Sequence, residues 1–560
     1  VADARTSRIA AIVGGGTDGR GGFAVLFHGE TAESAAGGRR VRGEAVDRKK
    51  LPIGIQTFRE IREGGYYYVD KTPMALRLID QGKPYFLSRP RRFGKSLFLD
   101  TLKELFEGNR ALFDGLYAEH HWDWSVRSPV LRLSFGSGVL RSADDLAASL
   151  HEQLSAFEEE HQLPAALPDL RSRFKRLISG LHQKTGQRVV VLVDEYDKPI
   201  LDNLTEPDRA RGMRDGLLDV YTVLKDADAH LRFVFFTGVS KFSKVSLFSG
   251  LNNLRDITIS PEYSALCGYT EEDVDAVFAP ELPGLDRDRI RRWYNGYNWL
   301  GTSVYNPFDL LLLFQERVFR SYWFETGTPT FLIDLLARQR FFTPDLAQLH
   351  AGGALLSRFD VGDIASEALL WQAGYLTLRG VQEIDEGTRV YTLGYPNREV
   401  ESALNTSLIR AYGVDEARSF PARVQLIHAL KAGDVGSLEL HFHTLFASIP
   451  HDWYRNNPIA DYEGYYASVF YSHLAALGWD TRVEDATNKG RIDLALRTGD
   501  RVYLFEFKVV EQVPDGRALA QLQAKGYAEK YRAPGVTVTL VGVEFSRAQR
   551  NLVGFEVAAG

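Results

Sequence analysis

Cysteine is almost missing from this chain: Cys267 is the one thiol in 560 residues. A single thiol closes no intrachain disulfide and builds no Cys-based zinc site, and it fits a reducing, cytoplasmic compartment. Long apolar runs are missing too. No stretch is long enough to cross a bilayer, which argues against a membrane partner. There is no large surplus of one charge: 67 Lys and Arg face 73 Asp and Glu, a formal net charge of -6. With no global positive field, any contact with nucleic acid has to come from a local basic surface. A hydrophobic content of 44% and a charged content of 25% describe a soluble globular protein. The length is too great for one core, so several domains are expected.

Residues 1–50 differ from the rest. Gly14-Gly15-Gly16, Gly21-Gly22 and Gly37-Gly38 sit among Ala, Arg and Ser without a sustained period. The apolar centre Ile9 to Val13 is too short for a signal peptide. This segment reads as disordered or unassigned. From Leu51 onward, short apolar strands (Tyr85 to Ser88, Val130 to Phe135, Val189 to Val193, Leu231 to Thr237) alternate with helical patterns such as Lys95 to Phe106 and Ala143 to His161. That alternation predicts a parallel α/β sheet over residues 51–260. Helical patterns dominate a lid at 261–345. Ser366 to Tyr375 and Tyr391 to Ile409 suggest a helical or winged-helix-like module at 346–445, and Val424 to Ser448 continues as helix. A further α/β unit at 446–560 has a helix at Tyr465 to Leu477, strands at Arg491 and Arg501, a helix at Arg517 to Tyr531 and a strand at Val536 to Val541.

In that last unit Gly490-Arg491-Ile492-Asp493 is followed by a Thr498-Gly499-Asp500 turn and by Phe505-Glu506-Phe507-Lys508. Side chains alternate along a strand, so Glu506 and Lys508 share one face while Phe505 and Phe507 take the other. A hairpin returns Asp493 beside them. Asp493 and Glu506 can hold a hard divalent metal, and Lys508 can position or activate a water, which is what phosphodiester hydrolysis needs. The bland alternative is a surface hairpin carrying an ordinary Glu-Lys ion pair.

A second pattern, Arg89-Pro90-Arg91-Arg92-Phe93-Gly94-Lys95-Ser96, follows a strand and opens a helix, the setting a phosphate loop requires. Arg92, Phe93, Gly94, Lys95, Ser96 and Leu97 are the candidates for nucleotide binding. Lys95 reaches for the β and γ phosphates, and Ser96 offers its hydroxyl to Mg²⁺. Arg89 stands where the generic motif has glycine. The apolar run Val189 to Val193 delivers Asp194 and Glu195 at its end. In a Walker B role Asp194 holds the metal and Glu195 polarises the attacking water. The run Phe233 to Gly238 ends where a phosphate sensor sits. Lys241, Lys244 and Arg255 follow, each read first as part of a solvated basic loop.

Tyr68-Val69-Asp70-Lys71-Thr72, Arg89 to Leu97, Asn252 to Thr258, Cys267-Gly268-Tyr269-Thr270, Tyr294-Asn295-Gly296-Tyr297 and Tyr305-Asn306-Pro307 together resemble the AAA-ATPase-like family of bacterial and archaeal proteins. Its members join this ATPase to a C-terminal PD-(D/E)XK nuclease domain, which the Asp493, Glu506, Lys508 hairpin resembles. The resemblance covers about Leu51 to Val543, and Arg in place of the first Walker A Gly is the family's own pattern. It implies a P-loop NTPase sheet with helical lid and winged-helix-like module, followed by a restriction-endonuclease-like α/β domain. It adds Glu463 as a further acid on the helix before the hairpin. From the helix after the hairpin it adds Gln521, or Gln523 as second choice with Tyr527. The function implied is an ATP-dependent or ATP-regulated metal-dependent nuclease acting on DNA, with ATP and Mg²⁺ as cofactors, Mn²⁺ as an alternative nuclease ion, and a homo-oligomer as an open option. Two other readings remain: a nucleotide-switched signalling or assembly protein that binds nucleic acid without cutting, and an ATPase with a purely structural C-terminal domain. Glu484 reads as a solvated strand charge, Trp293, Tyr294 and Tyr297 as core aromatics more than base stackers, and His441 and His443 as lacking the acids a metal site needs.

Overall fold

The computed structural model describes residues 48–560 except 165–168, 242–247, 249–250, 252, 327–331, 334–335, 337–340, 354–364, 412–415, 450–462 and 488. The glycine-rich segment up to residue 47, and Lys244, therefore lie outside the described residues. Lys50 already pairs with Tyr66 in a parallel bridge.

Five parallel strands form the first sheet: β1 (Pro84–Ser88), β2 (Val130–Ser134), β3 (Val189–Asp194), β4 (Leu231–Gly238) and β5 (Arg255–Asp256), in the order β2-β3-β4-β1-β5. All six residues of β3 are buried, as an uninterrupted Val/Leu run demands when helices cover both faces. Burying each such side chain contributes roughly 1.5–3 kcal/mol. The helices α1 (Lys95–Phe106), α2 (Ala143–Glu160), α3 (Leu170–Thr185) and α4 (Pro207–Asp226) connect these strands. Ser142 and Asp169 start α2 and α3 by accepting the N–H groups of Asp145 and Ser172, satisfying donors the first turn leaves open. The strand order matters for function. Because β4 lies between β1 and β3, the end of β4 is set between the loop after β1 and the acids after β3.

The segment expected as a lid follows, with α5 (Arg287–Tyr294) and α6 (Pro307–Glu316). Asn306 caps α6 by accepting the Phe308 N–H, and Pro307 occupies its first turn. Tyr67, Tyr294, Tyr305 and Phe314 share a buried cluster here. Next come β6 (Leu349–Gly352), α7 (Ser366–Ala373), β7 (Thr377–Asp385), β8 (Thr388–Gly394) and α8 (Arg398–Ala411), the three strands forming an antiparallel sheet in the order β6-β8-β7. Within the stretch from Tyr391 to Ile409, expected as part of a helical or winged-helix-like module, Tyr391 lies on β8, and α8 follows; the hairpin turns at Glu386-Gly387. The stretch Val424 to Ser448 is likewise two helices, α9 (Glu416–Ala432) and α10 (Val435–Ala447), because Asp434 opens a new helix by accepting the Ser437 N–H.

The last unit is a mixed sheet in the order β13-β12-β11-β10-β9: β9 (Asp480–Thr487), β10 (Gly490–Thr498), β11 (Arg501–Val510), β12 (Thr537–Ser546) and β13 (Asn551–Ala559). Only the β11/β12 pair is parallel. The helix α11 (Glu463–Ala475) covers one face: the Phe470 ring meets Phe505 at 5.2 Å and Phe507 at 4.9 Å. The helix α12 (Arg517–Lys525) covers the other, with Leu522 against Ala495 and Leu504. The expected helix to Tyr531 stops at Gly526, whose φ of +58° admits a left-handed turn before a short 3-10 segment at Tyr527–Tyr531. One buried apolar cluster runs from Ala75 in the first sheet region to Leu552 in the last. No helix among the described residues is long and apolar enough to cross a membrane.

Candidate functional site

The loop after β1 turns through two left-handed residues, Arg92 at φ +69° and Gly94 at +89°, and delivers Lys95 at the start of α1. Its Nζ, nearly enclosed, donates to the carbonyls of Arg89 (3.0 Å) and Pro90 (2.9 Å). Burial lowers the Lys95 pKa, with Asp194 and Glu195 opposing that shift. Arg89, in the place of the motif's first glycine, is fully buried. Its guanidinium donates to the carbonyls of Ser88 (2.8 Å), Thr258 (3.0 Å) and Tyr263 (3.0 Å) and lies 3.9 Å from the Trp299 ring centroid. Burial pulls its pKa down to about 10. The side chain thus anchors the base of the loop against the segment after β5, instead of projecting toward a ligand. Phe93 is buried edge-on against Tyr297 (4.7 Å) and Trp299 (5.8 Å), while Arg92 is exposed over Phe308.

Asp194 is buried at the end of β3. It accepts from the Thr237 hydroxyl at 2.8 Å, the contact that inserting β4 makes available, and faces Arg132 on β2 at 3.4 Å. Arg132 also pairs with Asp100 on α1 at 2.7 Å and donates to the Ser96 carbonyl at 3.3 Å. Glu195 sits at φ +53°, and burial raises its pKa against the pull of Lys95. Two residues on, Asp197 accepts the N–H of Ser240 (2.6 Å), its hydroxyl (2.6 Å) and the N–H of Val239. This buried carboxylate clamps the segment after β4 to the Glu195 turn. Lys241 then corrects the expectation of a solvated loop. It is 6% exposed, its Nζ lies 3.0 Å from Asp256, and its N–H donates to Gln372 of α7. Arg255 is exposed and bonds Gln81.

A cavity of about 880 Å³ opens over this constellation, within the range of about 300–1,000 Å³ typical of small-molecule sites. The residues from Arg91 to Phe98, with Glu195 and Ser240, form its polar end. Ile55, Tyr68, Phe308, Trp323 and Tyr375 wall the rest. The Trp323 indole donates to the Arg91 carbonyl at 3.0 Å. A Cβ on Gly374 would lie 2.6 Å from the Pro90 ring, so the end of α7 packs against that proline of the loop. A helix N-terminus with a lysine and a buried Asp beside a roomy cavity fits a nucleoside triphosphate with Mg²⁺. Asp197, Arg132 and Trp323 were missed in the sequence. Asp197 is visible in hindsight as the second acid of Asp194-Glu195-Tyr196-Asp197; Trp323 carries no local signal.

At the far end of the chain, the β10/β11 ladder runs from Thr498↔Arg501 to Leu494↔Phe505. One step beyond, the Asp493 carboxylate accepts the Phe507 N–H at 2.8 Å. Glu506 is 1% exposed, and its Oε1 accepts from Lys508 Nζ at 2.9 Å and from the Gln521 amide of α12. Asp493, Glu506, Lys508 and Gln521 are thus gathered on the face that α12 covers. Gln523 is exposed, and Tyr527 packs its hydroxyl near Gly490. On β12, Glu544 accepts the N–H groups of Asp515 (2.7 Å) and Ala518 (3.3 Å), fixing the start of α12 over the site; no sequence pattern had singled it out. The body of α11 lies on the opposite face, and the side chains of Glu463 at its start and of Glu484 on β9 are not described. His441 meets His473 at 2.8 Å, and burial lowers both pKa values, that of His441 to about 4. Trp293, Tyr294 and Tyr297 pack among other aromatics. Among the described residues no group of three His, Cys, Asp or Glu side chains gathers as a metal cluster. The fit to a divalent ion therefore rests on the Asp493 and Glu506 pair, which suits an ion that completes its shell with water and phosphate oxygens.

The family model "Predicted AAA-ATPase" matches residues 52–248, and that of the PD-(D/E)XK nuclease superfamily matches residues 461–555. The chain belongs to the AAA-ATPase-like family, with a C-terminal PD-(D/E)XK nuclease domain. It is also 64% identical over 513 residues to an Azotobacter chroococcum mcd 1 protein described as an uncharacterized protein in the vnfD 5' region, covering 91% of this chain and 99% of that one.

Proposed function

We propose that this protein is an ATP-regulated, metal-dependent nuclease that hydrolyses phosphodiester bonds in DNA. The observation that carries this reading is the convergence of Lys508 and Gln521 on Glu506 beside Asp493. An ordinary surface ion pair would leave Glu506 in water, whereas here it is enclosed and held from two elements. Asp493 and Glu506 would hold Mg²⁺ or Mn²⁺, which when bound neutralises phosphate charge and lowers the pKa of water. Lys508 orients the water or meets the charge developing on phosphorus. Gln521 positions Glu506 and faces the nucleic acid, and Glu463 is the further acid. In the P-loop half, Lys95 would contact the β and γ phosphates, Ser96 and Asp194 would hold Mg²⁺, and Glu195 would polarise the attacking water. Arg92, Phe93, Gly94 and Leu97 complete the loop and its first helical turn. In this reading residues 51–260 are the ATPase, 261–345 its lid, 346–445 the connecting module and 446–560 the nuclease, working in the cytoplasm, with a homo-oligomer as an open option.

The test is a cleavage assay on single-stranded DNA, duplex DNA and RNA with Mg²⁺, with and without ATP, alongside Asp493→Ala and Lys508→Ala. Cleavage by the wild type that both variants lose, and that ATP modulates, is the expected result. Equal background cleavage by all three proteins would sink the enzyme reading.

A further inference from the structure

Two carboxyl groups that neither site uses are buried together in the middle of the molecule. Asp309 lies on α6 and Glu399 at the start of α8, both with no exposed surface. Among the described residues neither forms an ion pair with a Lys, Arg or His; the two groups act on each other electrostatically, and both Asp309 oxygens and Glu399 Oε2 are buried with no other hydrogen-bond partner. Two enclosed carboxylates in contact cannot both stay ionised. Burial pushes both pKa values up: Asp309 well above the carboxylate range, Glu399 to about 7. The difference has a visible cause. Glu399 Oε1 accepts two backbone N–H groups, from Trp323 at 2.9 Å and Phe324 at 3.2 Å, which stabilise an anion there. These two donors favour the anion on Glu399 and the proton on Asp309.

The Trp323 and Phe324 donors are part of the nucleotide cavity's wall, and the Trp323 indole holds the Arg91 carbonyl of the phosphate loop. On its other side, α8 donates from Ser402 Oγ to the Ala476 carbonyl at 2.8 Å, just past α11. That helix packs Phe470 on Phe505 and Phe507, the residues flanking Glu506.

We propose that Asp309 and Glu399 share one proton and act as a positioning pair: the Glu399 carboxylate sets the Trp323–Phe324 wall of the nucleotide cavity, and α8 carries the state of that wall to α11 and the nuclease hairpin. This rests on the reading of the cavity as an ATP site.

The experiment uses the full chain, with a fluorescent ATP analogue for affinity and duplex-DNA cleavage with and without ATP. The proteins are wild type, Lys95→Ala, Asp309→Asn, Asp309→Ala and Glu399→Gln. Asn at 309 still donates to the Glu399 anion, so Asp309→Asn keeps wild-type affinity and the ATP response of cleavage. Asp309→Ala strands a buried anion; it weakens ATP binding about ten-fold and abolishes that response. Should Asp309→Ala fail to fold, the other two variants decide. Glu399→Gln moves the charge to Asp309, away from the Phe324 donor that only Glu399 receives, and loses affinity where Asp309→Asn keeps it. Equal affinities for Asp309→Asn and Glu399→Gln, a wild-type Asp309→Ala, or an Asp309→Asn as impaired as Asp309→Ala would each overturn the proposal. If wild type and Lys95→Ala bind the analogue alike, the ATP reading itself falls and takes the pair's role with it; a loss confined to Lys95→Ala overturns the pair alone.

Discussion

The two sites are built in opposite ways. The nuclease candidate is local: Asp493, Glu506, Lys508 and Gln521 come from one hairpin and the helix that follows it. The nucleotide candidate is assembled from distant segments. Its loop follows β1, its acids end β3, its Thr237 ends β4, and its wall draws on residues from Ile55 to Tyr375. A local site can stand on its own fold, with Glu544 holding α12 in place. A dispersed site depends on every element that lines it. This is why a pair as remote as Asp309 and Glu399 bears on the nucleotide candidate while Asp493 and Glu506 are fixed by near neighbours.

The comparison predicts that damage to one site spares the ligand of the other. Asp493→Ala or Lys508→Ala should lower Mg²⁺-dependent DNA cleavage by about 100- to 10,000-fold, the usual contribution of a positioned acid–base or metal-binding group, with ATP affinity unchanged in a binding titration. A parallel loss of ATP affinity would show that the sites are one cooperative unit. Glu195→Gln should cut ATP turnover by about 100- to 1,000-fold while leaving the analogue's affinity intact, because Lys95 and the helix terminus remain; loss of binding instead would mean Glu195 shapes the cavity. Gln521→Ala should slow cleavage about 10- to 100-fold by freeing Glu506 to rotate, and Gln523→Ala should leave the rate at wild type. A Gln523 effect equal to that of Gln521 would undo the assignment made from the Glu506 contact. The smallest effect concerns stability. Glu544→Ala removes the acceptor at the start of α12 and should cost about 1–2 kcal/mol, read as a lower urea midpoint.

Legibility followed the same division. The β10 and β11 strands, their shared face and the convergence of Asp493, Glu506 and Lys508 were readable because strand alternation and a tight turn are short-range rules. The family resemblance put Gln521 first and Gln523 second, but helix spacing alone did not separate them; the packing of α12 is what brings Gln521 to Glu506. In the first sheet the strands, α1 and the Lys95 and Asp194 pair were legible from apolar runs that end in polar residues. The role of Arg89 was not. A sequence shows an arginine where a glycine is usual, but two of the three carbonyls that receive it, those of Thr258 and Tyr263, and the Trp299 face come from residues far along the chain. Lys241 misled for the same reason: its partners Asp256 and Gln372 lie on other elements.

By itself the sequence determined the two domain types of this protein, because the loop before Lys95 and the Asp493–Glu506 hairpin are each written into short stretches of backbone and side-chain periodicity. The tertiary structure decided which charges are enclosed, which are paired and what walls the cavity. Burial and hydrogen-bond partnership depend on contacts between segments hundreds of residues apart, and no local spacing rule encodes them.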